Sequence, residues 1–352
     1  MLQGEVEGHP SQTMARSASM KVPEFIHGCI APVFTCFHEN GDLDDAGQRN
    51  LLDFLHATDA LSAYFVRSGM GQMYTFTLDE TKQLAQNACS HMAGKGPVLV
   101  GCAGIWDRNR DKRPDPDQYI SEALELSQYA EGVGAAGVVH TVPEGLDPAP
   151  GESIAAAVER YFTAVCGAVK IPVLMYQPPG TDTKYWLSPE LLGSLAEIDN
   201  MMGLKVSNSD AAYTFDLIRA VRNKQFGYIA GDERAFYANL YAGAKAVIGQ
   251  GTSLNPQILK LEQERFEAGD IAGVLEAQAS VNLLCCTCRN PVDFLKRYAN
   301  EQGFAMGRMA RKITAHSYIS DSSPLSEEEY ETYKQILEGE LARFGFAPVA
   351  AV

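Results

Sequence analysis

Short apolar runs alternate along this chain with longer stretches in which apolar residues return every three or four positions, from Gly28 to about Pro256. A short run bounded by turn residues reads as a buried strand, and the longer spacing as the inward face of a helix. Strands are expected from Gly28 to Phe34, Ala63 to Val66, Pro97 to Gly101, Ala136 to His140, Ile171 to Met175, Met201 to Ser207, Tyr228 to Asp232 and Lys245 to Gly251. Helical spacing lies between them. It appears at Leu51, Leu52, Phe54 and Leu55, from Ala212 to Arg222, from Ala235 to Ala242, and from Ser188 to Leu195, where Ser188 can N-cap and Pro189 takes the first helical position. Strand, loop, helix, strand is a βαβ unit whose right-handed crossover lays parallel strands side by side, and its repetition predicts an α/β fold, a (β/α)8 TIM barrel.

Turn chemistry supports the pattern. Glu39-Asn40-Gly41-Asp42 follows the first strand, and Gly132, Gly134 and Gly137 read as a helix stop and a turn before the fourth. Beyond Pro256 only helices are expected. Ile258, Leu259, Leu261 and Phe266 form one stripe, helices from Ile271 to Leu284 and from Pro291 to Asn300 follow, and Ser326 with Glu329 makes a capping box for a last helix reaching Phe344. Before the first strand, Met1 to Met20 mixes Gly, Ser, Gln and Glu without periodicity and without the apolar segment of a secretory signal. Arg16 among serines is its one targeting-like feature. The expected organisation is a flexible leader over 1–24, a catalytic barrel over 25–256 and a helical extension over 257–352 packed on the barrel.

Barrel active sites lie at the C-terminal ends of the strands. The run from Met201 to Ser207 carries one lysine, Lys205, and burial there lowers an amine's pKa and supplies the neutral nucleophile that condenses with a carbonyl. Alone, it reads as an ordinary strand-end lysine reaching solvent. The βαβ crossover sets Tyr176 at the same end of the neighbouring strand, so a phenol and a lysine converge. After the second strand, Ser68, Gly69, Met70, Gly71 and Gln72 form a glycine-containing loop whose amides can approach a ligand carboxylate; the plainer reading is a tight turn into the next helix. His140 ends the fourth strand, where it either titrates near neutral pH or bonds a neighbouring loop as a structural group. The loop from Trp106 to Pro114 holds Arg108, Arg110, Lys112 and Arg113, which can focus an anionic ligand, with Trp106 as a flat stacking surface. Its plain reading is a solvated loop neutralised by Asp107 and Asp111.

Several fragments in chain order carry a family resemblance. Pro32-Val33-Phe34-Thr35-Cys36-Phe37, Asn40-Gly41-Asp42-Leu43-Asp44, Gly69-Met70-Gly71-Gln72, Tyr176-Gln177-Pro178-Pro179-Gly180, Gly203-Leu204-Lys205, Gly231-Asp232 and Gly243-Ala244-Lys245-Ala246-Val247-Ile248 together resemble the dihydrodipicolinate synthase and N-acetylneuraminate lyase superfamily of class I aldolases and dehydratases. The resemblance implies that Lys205 forms a Schiff base with a 2-oxo acid and that Tyr176 shuttles protons. It also implies that Ser68, Gly69 and Met70 lie at the substrate carboxylate, that the Ile248 carbonyl accepts a hydrogen bond nearby, and that no organic cofactor is needed, the lysine being the electron sink. A homotetramer is the assembly it implies.

The departures from that family narrow the substrate. Relatives commonly have Gly-Thr-Thr-Gly-Glu in the loop where this chain has Ser68 and Met70, and Thr141-Val142-Pro143-Glu144 provides no tyrosine for a neighbouring subunit's proton relay. Thr181 follows Gly180 where dihydrodipicolinate synthases usually carry an arginine. Aldol cleavage or condensation, or dehydration, of a sugar acid or hydroxy-oxo acid therefore fits better than dihydrodipicolinate synthesis, and Arg108 and Arg110 become candidates for the substrate's distal acid. Two more functions are compatible with these residues: a hydratase-aldolase of an aromatic 2-oxo acid, and a catalytically retired metabolite-binding barrel. Retention of both Lys205 and Tyr176 argues against the retired barrel.

Composition changes this picture little. A formal charge of −15 and a pI near 4.9 argue against nucleic acid or an anionic membrane as general partners, and no apolar run approaches a bilayer span. The eight cysteines are scattered through apolar segments, which suits reduced thiols in a cytoplasmic compartment. Cys285-Cys286-Thr287-Cys288 has no matching Cys or His pair at finger spacing, so a buried helix is expected there rather than a metal site.

Overall fold

The structure, a computed structural model, describes residues 20–311 and 323–351; the leader expected over 1–24 lies mostly outside the described residues. Eight parallel strands, β1 (Gly28–Pro32), β2 (Leu61–Val66), β3 (Val98–Gly101), β4 (Gly137–Thr141), β5 (Val173–Gln177), β6 (Met201–Val206), β7 (Gly227–Ala230) and β8 (Ala246–Val247), pair in chain order. β1 pairs with both β2 and β8, which closes the TIM barrel. Around it run α1 (Asp45–His56), α2 (Leu78–Met92), α3 (Pro116–Gly132), α4 (Ile154–Ala168), α5 (Pro189–Leu195), α6 (Ala211–Val221) and α7 (Phe236–Ala242).

Alternation along each strand divides the core into two shells. Ile30, Phe65, Leu99, Val139, Leu174, Met202 and Ile229 fill the barrel interior, while Val66, Val100, Val138, Val173, Leu204 and Val247 pack outward against the helices. Ile26 closes the bottom of the barrel. Gly227 makes room for it, since a Cβ there would lie 2.4 Å from Ile26 Cγ2.

The helix starts follow the sequence. Ser188 caps α5 through the Leu191 amide with Pro189 at its first position, and a capping box joins Thr77 to Glu80 at α2. β8 ends earlier than expected, and the chain turns into a short helix, α8 (Gly251–Leu254). The Thr252 hydroxyl lies 2.8 Å from Ile30 O and 2.7 Å from Gly249 O, and these contacts hold that turn over the end of β1.

The extension comprises α9 (Pro256–Glu267), α10 (Ile271–Thr287), α11 (Pro291–Glu301) and α12 (Glu327–Arg343), the last with the expected Ser326–Glu329 capping box. Between α11 and α12, residues 305–311 return to the barrel rim. The Gly307 amide donates to Asp44, the Arg311 amide donates to Gln72 Oε1, and the Arg311 guanidinium bonds Gly41 O and Glu80. A strap from the extension thus fastens the loop after β2.

The structural reading of His140 holds, with partners on helices rather than a loop, and the burial expected of α10 needs correction. His140 faces outward, because Val139 faces in and strand neighbours alternate; its ring nitrogens lie 3.0 Å from Ser127 Oγ and 2.9 Å from Tyr161 OH. Burial, with the nearby Arg67 charge, pushes its pKa down to about 3, so it is a neutral structural group between α3 and α4. α10 is only half buried. Val281 and Leu284 face the core, but Leu283 is 41% exposed, Cys286 is exposed and Cys285 is partly exposed.

Candidate active site

Lys205 and Tyr176 are register partners on β6 and β5, and both side chains point into the barrel at its C-terminal end. The inward aim of Lys205 follows from its neighbours, since Leu204 and Val206 pack in the outer shell. Its Nζ lies 4.2 Å from the centroid of the Tyr176 ring, which Phe65 braces edge-on. Lys205 is 5% exposed and forms no ion pair among the described residues. Burial is the main cause that lowers its pKa to about 7, opposed by the charge of Glu233. A large fraction of neutral amine is therefore present near neutral pH.

Above this pair opens a cavity of about 510 Å³, lined by Met70, Tyr176, Gln177, the loop from Pro178 to Thr181, Trp186, Lys205, residues 207–209, residues 231–234, residues 248–250 and Cys285. Its lip is built by the segment after β5. Trp186 packs tilted against Tyr213 with ring centroids 4.8 Å apart and donates to Thr181 O, while Gln177 Oε1 accepts from the Tyr213 hydroxyl at 2.7 Å. Ile248 contributes to the wall on the β8 side.

The loop after β2 divides the residues expected to hold a carboxylate. Ser68 is fully buried, its Oγ lying 3.1 Å from Val33 O and accepting from the Gly71 amide at 3.0 Å, so it shapes the turn rather than facing the cavity. The Gln72 and Met73 amides are likewise engaged inside the loop. No hydrogen bond among the described residues engages the amides of Gly69 and Met70, and Met70 lines the cavity.

The arginines after β3 do not reach the cavity. Arg108 donates to Glu144 at 3.2 Å and to Pro179 O at 2.9 Å; Arg110 donates to Glu144 at 2.7 Å and also contacts Gly180 O. Arg113 pairs with Asp147, and Trp106 donates to Asn109 O and packs edge-on against Tyr74. The expected anion-focusing surface is instead a clamp that holds the Pro179–Gly180 turn from behind. Glu144 is its hub, accepting the Asp182 amide as well. Burial of Arg108 gives the reason: a withdrawn guanidinium requires a carboxylate, and the loop folds inward to reach one.

Three cavity or clamp residues carry roles that sequence reasoning missed. Glu144 lies in a segment notable only for lacking a tyrosine, and it gives no periodic signal. Glu233 directly follows Gly231-Asp232 at the end of β7, a barrel position that carries chemistry, so that placement is a readable signal. Cys285 comes from the extension, and nothing local in the sequence aims it at the mouth.

Comparison with known proteins identifies the family. The sequence model of the Dihydrodipicolinate synthetase family matches residues 25–338. The chain belongs to that family. Family membership makes it an enzyme, a Schiff-base-forming lyase of 2-oxo acids. It is 29% identical over 256 residues to 4-hydroxy-tetrahydrodipicolinate synthase of Dechloromonas aromatica (strain RCB), covering 73% of this chain and 80% of that protein. It is also 29% identical over 248 residues to the putative 2-dehydro-3-deoxy-D-gluconate aldolase YagE of Escherichia coli (strain K12), covering 70% and 76%. The crystal structure of YagE in complex with pyruvate superposes with a TM-score of 0.71 at 24% identity over 89% of this chain and 98% of that one, a likeness of fold. Among the described residues no single helix is long and apolar enough to cross a membrane.

Proposed function

We propose that Lys205 is the Schiff-base lysine and Tyr176 the proton shuttle of a lyase that cleaves, condenses or dehydrates a hydroxy-oxo acid or sugar acid. The observation that carries this reading is the register pairing of the two residues inside the barrel, with Nζ 4.2 Å from the Tyr176 ring centroid. Neutral Nζ attacks the C2 ketone, the carbinolamine loses water, and the resulting iminium takes up the electrons of the C3–C4 bond as it breaks to an enamine, or of a C3–H bond, after which the enamine expels the C4 hydroxyl as water. The Tyr176 hydroxyl moves protons at the carbinolamine and at the departing oxygen. The substrate carboxylate accepts from the Gly69 and Met70 amides, and the Ile248 carbonyl accepts a hydrogen bond nearby. No organic cofactor enters this chemistry.

Thr181 in place of an arginine, and the engagement of Arg108 and Arg110 by Glu144, favour a substrate whose distal part is not a second carboxylate. This favours the aldolase and dehydratase branch over dihydrodipicolinate synthesis. Apolar side chains exposed on neighbouring helices, Phe215 on α6, Tyr237 and Tyr241 on α7, and Ile271 and Leu275 on α10, support a homo-oligomer of the tetrameric kind. Buried, unpaired cysteines such as Cys29 and Cys36 support a cytoplasmic location. The test is borohydride reduction in the presence of a panel of 2-oxo acids, followed by peptide mass mapping. A reduced adduct on Lys205 is expected, and the acid trapped at lowest concentration names the substrate class. An adduct on another lysine, or none with any 2-oxo acid, overturns the assignment.

A further inference from the structure

The iminium is a fixed positive charge in a closed wall of the barrel, and an unpaired charge at such a place is unfavourable by several kcal/mol. One acidic side chain is built into the same wall. Glu233 is 4% exposed, lines the cavity with Lys205, and forms no salt bridge among the described residues. Its neighbours hold it without neutralising it. The Gly251 amide donates to Oε1 at 2.9 Å, and the Cys285 thiol of α10 donates to the same oxygen at 3.7 Å. Gly249 leaves the space it occupies, since a Cβ there would fall 1.8 Å from Oε2.

The other ionisable groups around it are accounted for. Arg234, the adjacent cation, is turned away into a two-pronged pair with Asp232 at 2.8 and 2.7 Å. From α12, Tyr333 brings a buried phenol whose hydroxyl donates to Leu284 O. Lys205, on β6, is thus the cation on which the Glu233 charge acts; burial lowers the lysine's pKa and, with the Asp232 charge, raises that of Glu233, and each of the two shifts the other back toward its charged form.

We propose that Glu233 is the counter-ion of Lys205, a positioning residue whose carboxylate balances the positive charge that stays on Nζ once the Schiff base has formed. The inference rests on the Schiff-base reading above. It assigns Glu233 an electrostatic role toward the enzyme's own lysine, in addition to any contact with substrate. A carboxylate beside an iminium stabilises the covalent intermediate, and it also holds the free lysine protonated to higher pH than burial alone would allow.

Glu233→Gln separates charge from architecture, because the amide oxygen can still accept from Gly251. The experiment measures borohydride trapping of pyruvate by wild type, Glu233→Gln, Glu233→Asp and Lys205→Ala as a function of pH and pyruvate concentration. In Glu233→Gln the pH at which trapping reaches half its maximum should move about 0.5–1 unit toward acid, since the lysine loses its counter-charge. Pyruvate needed for half-saturation should rise about tenfold. Glu233→Asp, which keeps the charge, should keep the wild-type pH midpoint. An unchanged midpoint and unchanged half-saturation in Glu233→Gln overturn the proposal, as does equal loss in the Gln and Asp variants with no pH shift, the signature of a purely structural group. Absence of trapping in wild type would sink the Schiff-base reading itself, a result distinct from either.

Discussion

Lys205 and Arg108 are both cations almost wholly withdrawn from solvent at the same end of one barrel, 5% and 2% exposed, and they are held in opposite ways. Arg108 meets a carboxylate directly, with Glu144 at 3.2 Å, and a backbone carbonyl as well. Lys205 meets an aromatic face and, across the cavity wall, a carboxylate that does not form an ion pair with it. The contrast teaches how to tell structure from chemistry at a barrel mouth. A buried cation given a hydrogen-bonded acid remains charged and braces what it touches. One left without such a partner is pushed toward neutrality and becomes a nucleophile.

The largest expected effect tests the chemical side of that contrast. Lys205→Ala should lower turnover by about a thousandfold or more, because no other group forms the covalent intermediate. Lys245→Ala, an exposed lysine at the opposite end beside Val22 and His27, should leave kcat within about twofold. Steady-state assays on the substrate found by trapping measure both, and comparable losses would remove the distinction between the two lysines.

The structural side is tested by removing the acid. Glu144→Ala leaves Arg108 buried without its carboxylate and should cost about 3–5 kcal/mol in urea unfolding. Arg110→Ala, at the more open edge of the same clamp, should cost about 1 kcal/mol or less. If the two losses were equal, Glu144 would not be the hub.

Tyr176→Phe removes one oxygen and keeps the ring under Lys205. The kcat should fall about a hundredfold while KM changes little, as expected for lost proton transfer. Unchanged turnover would make the phenol a packing group only.

A smaller effect comes from a buried acid that has neither kind of partner. Glu262 on α9 is fully buried, its two carboxylate oxygens accept no hydrogen bond among the described residues, and burial pushes its pKa up to about 8 from an ordinary 4.5. The folded state therefore binds this proton more tightly than the unfolded chain. Stability from it is fully present below about pH 4.5, falls by at most about 1.4 kcal/mol per pH unit as pH rises toward 8, and is flat above. Glu262→Gln should remove that slope from urea midpoints measured between pH 5 and 9. Parallel pH curves for wild type and variant would show that the carboxyl does not titrate there.

Much of the barrel was legible in the chain. Strand positions, the Ser188–Pro189 helix start and the Ser326–Glu329 capping box all depend on residues a few positions apart, and the structure keeps them with end shifts of a residue or two at most strands. His140 was also within reach, because alternation from inward-facing Val139 turns it outward. The arginine loop was not. Its four cations say that a charge is present but not which acid they meet, and Glu144 lies more than thirty residues away.

By itself, then, the sequence determined the strand-helix alternation, the barrel, and the meeting of Tyr176 with Lys205, because crossover handedness and side-chain periodicity translate spacing directly into place. Tertiary structure alone decided that Ser68 faces the turn rather than the cavity, that Arg108 and Arg110 clamp a loop, and that Glu233 and Cys285 reach the mouth. Each of those outcomes depends on which distant group is available to satisfy a buried charge or hydrogen bond, and that is settled only when the segments pack together.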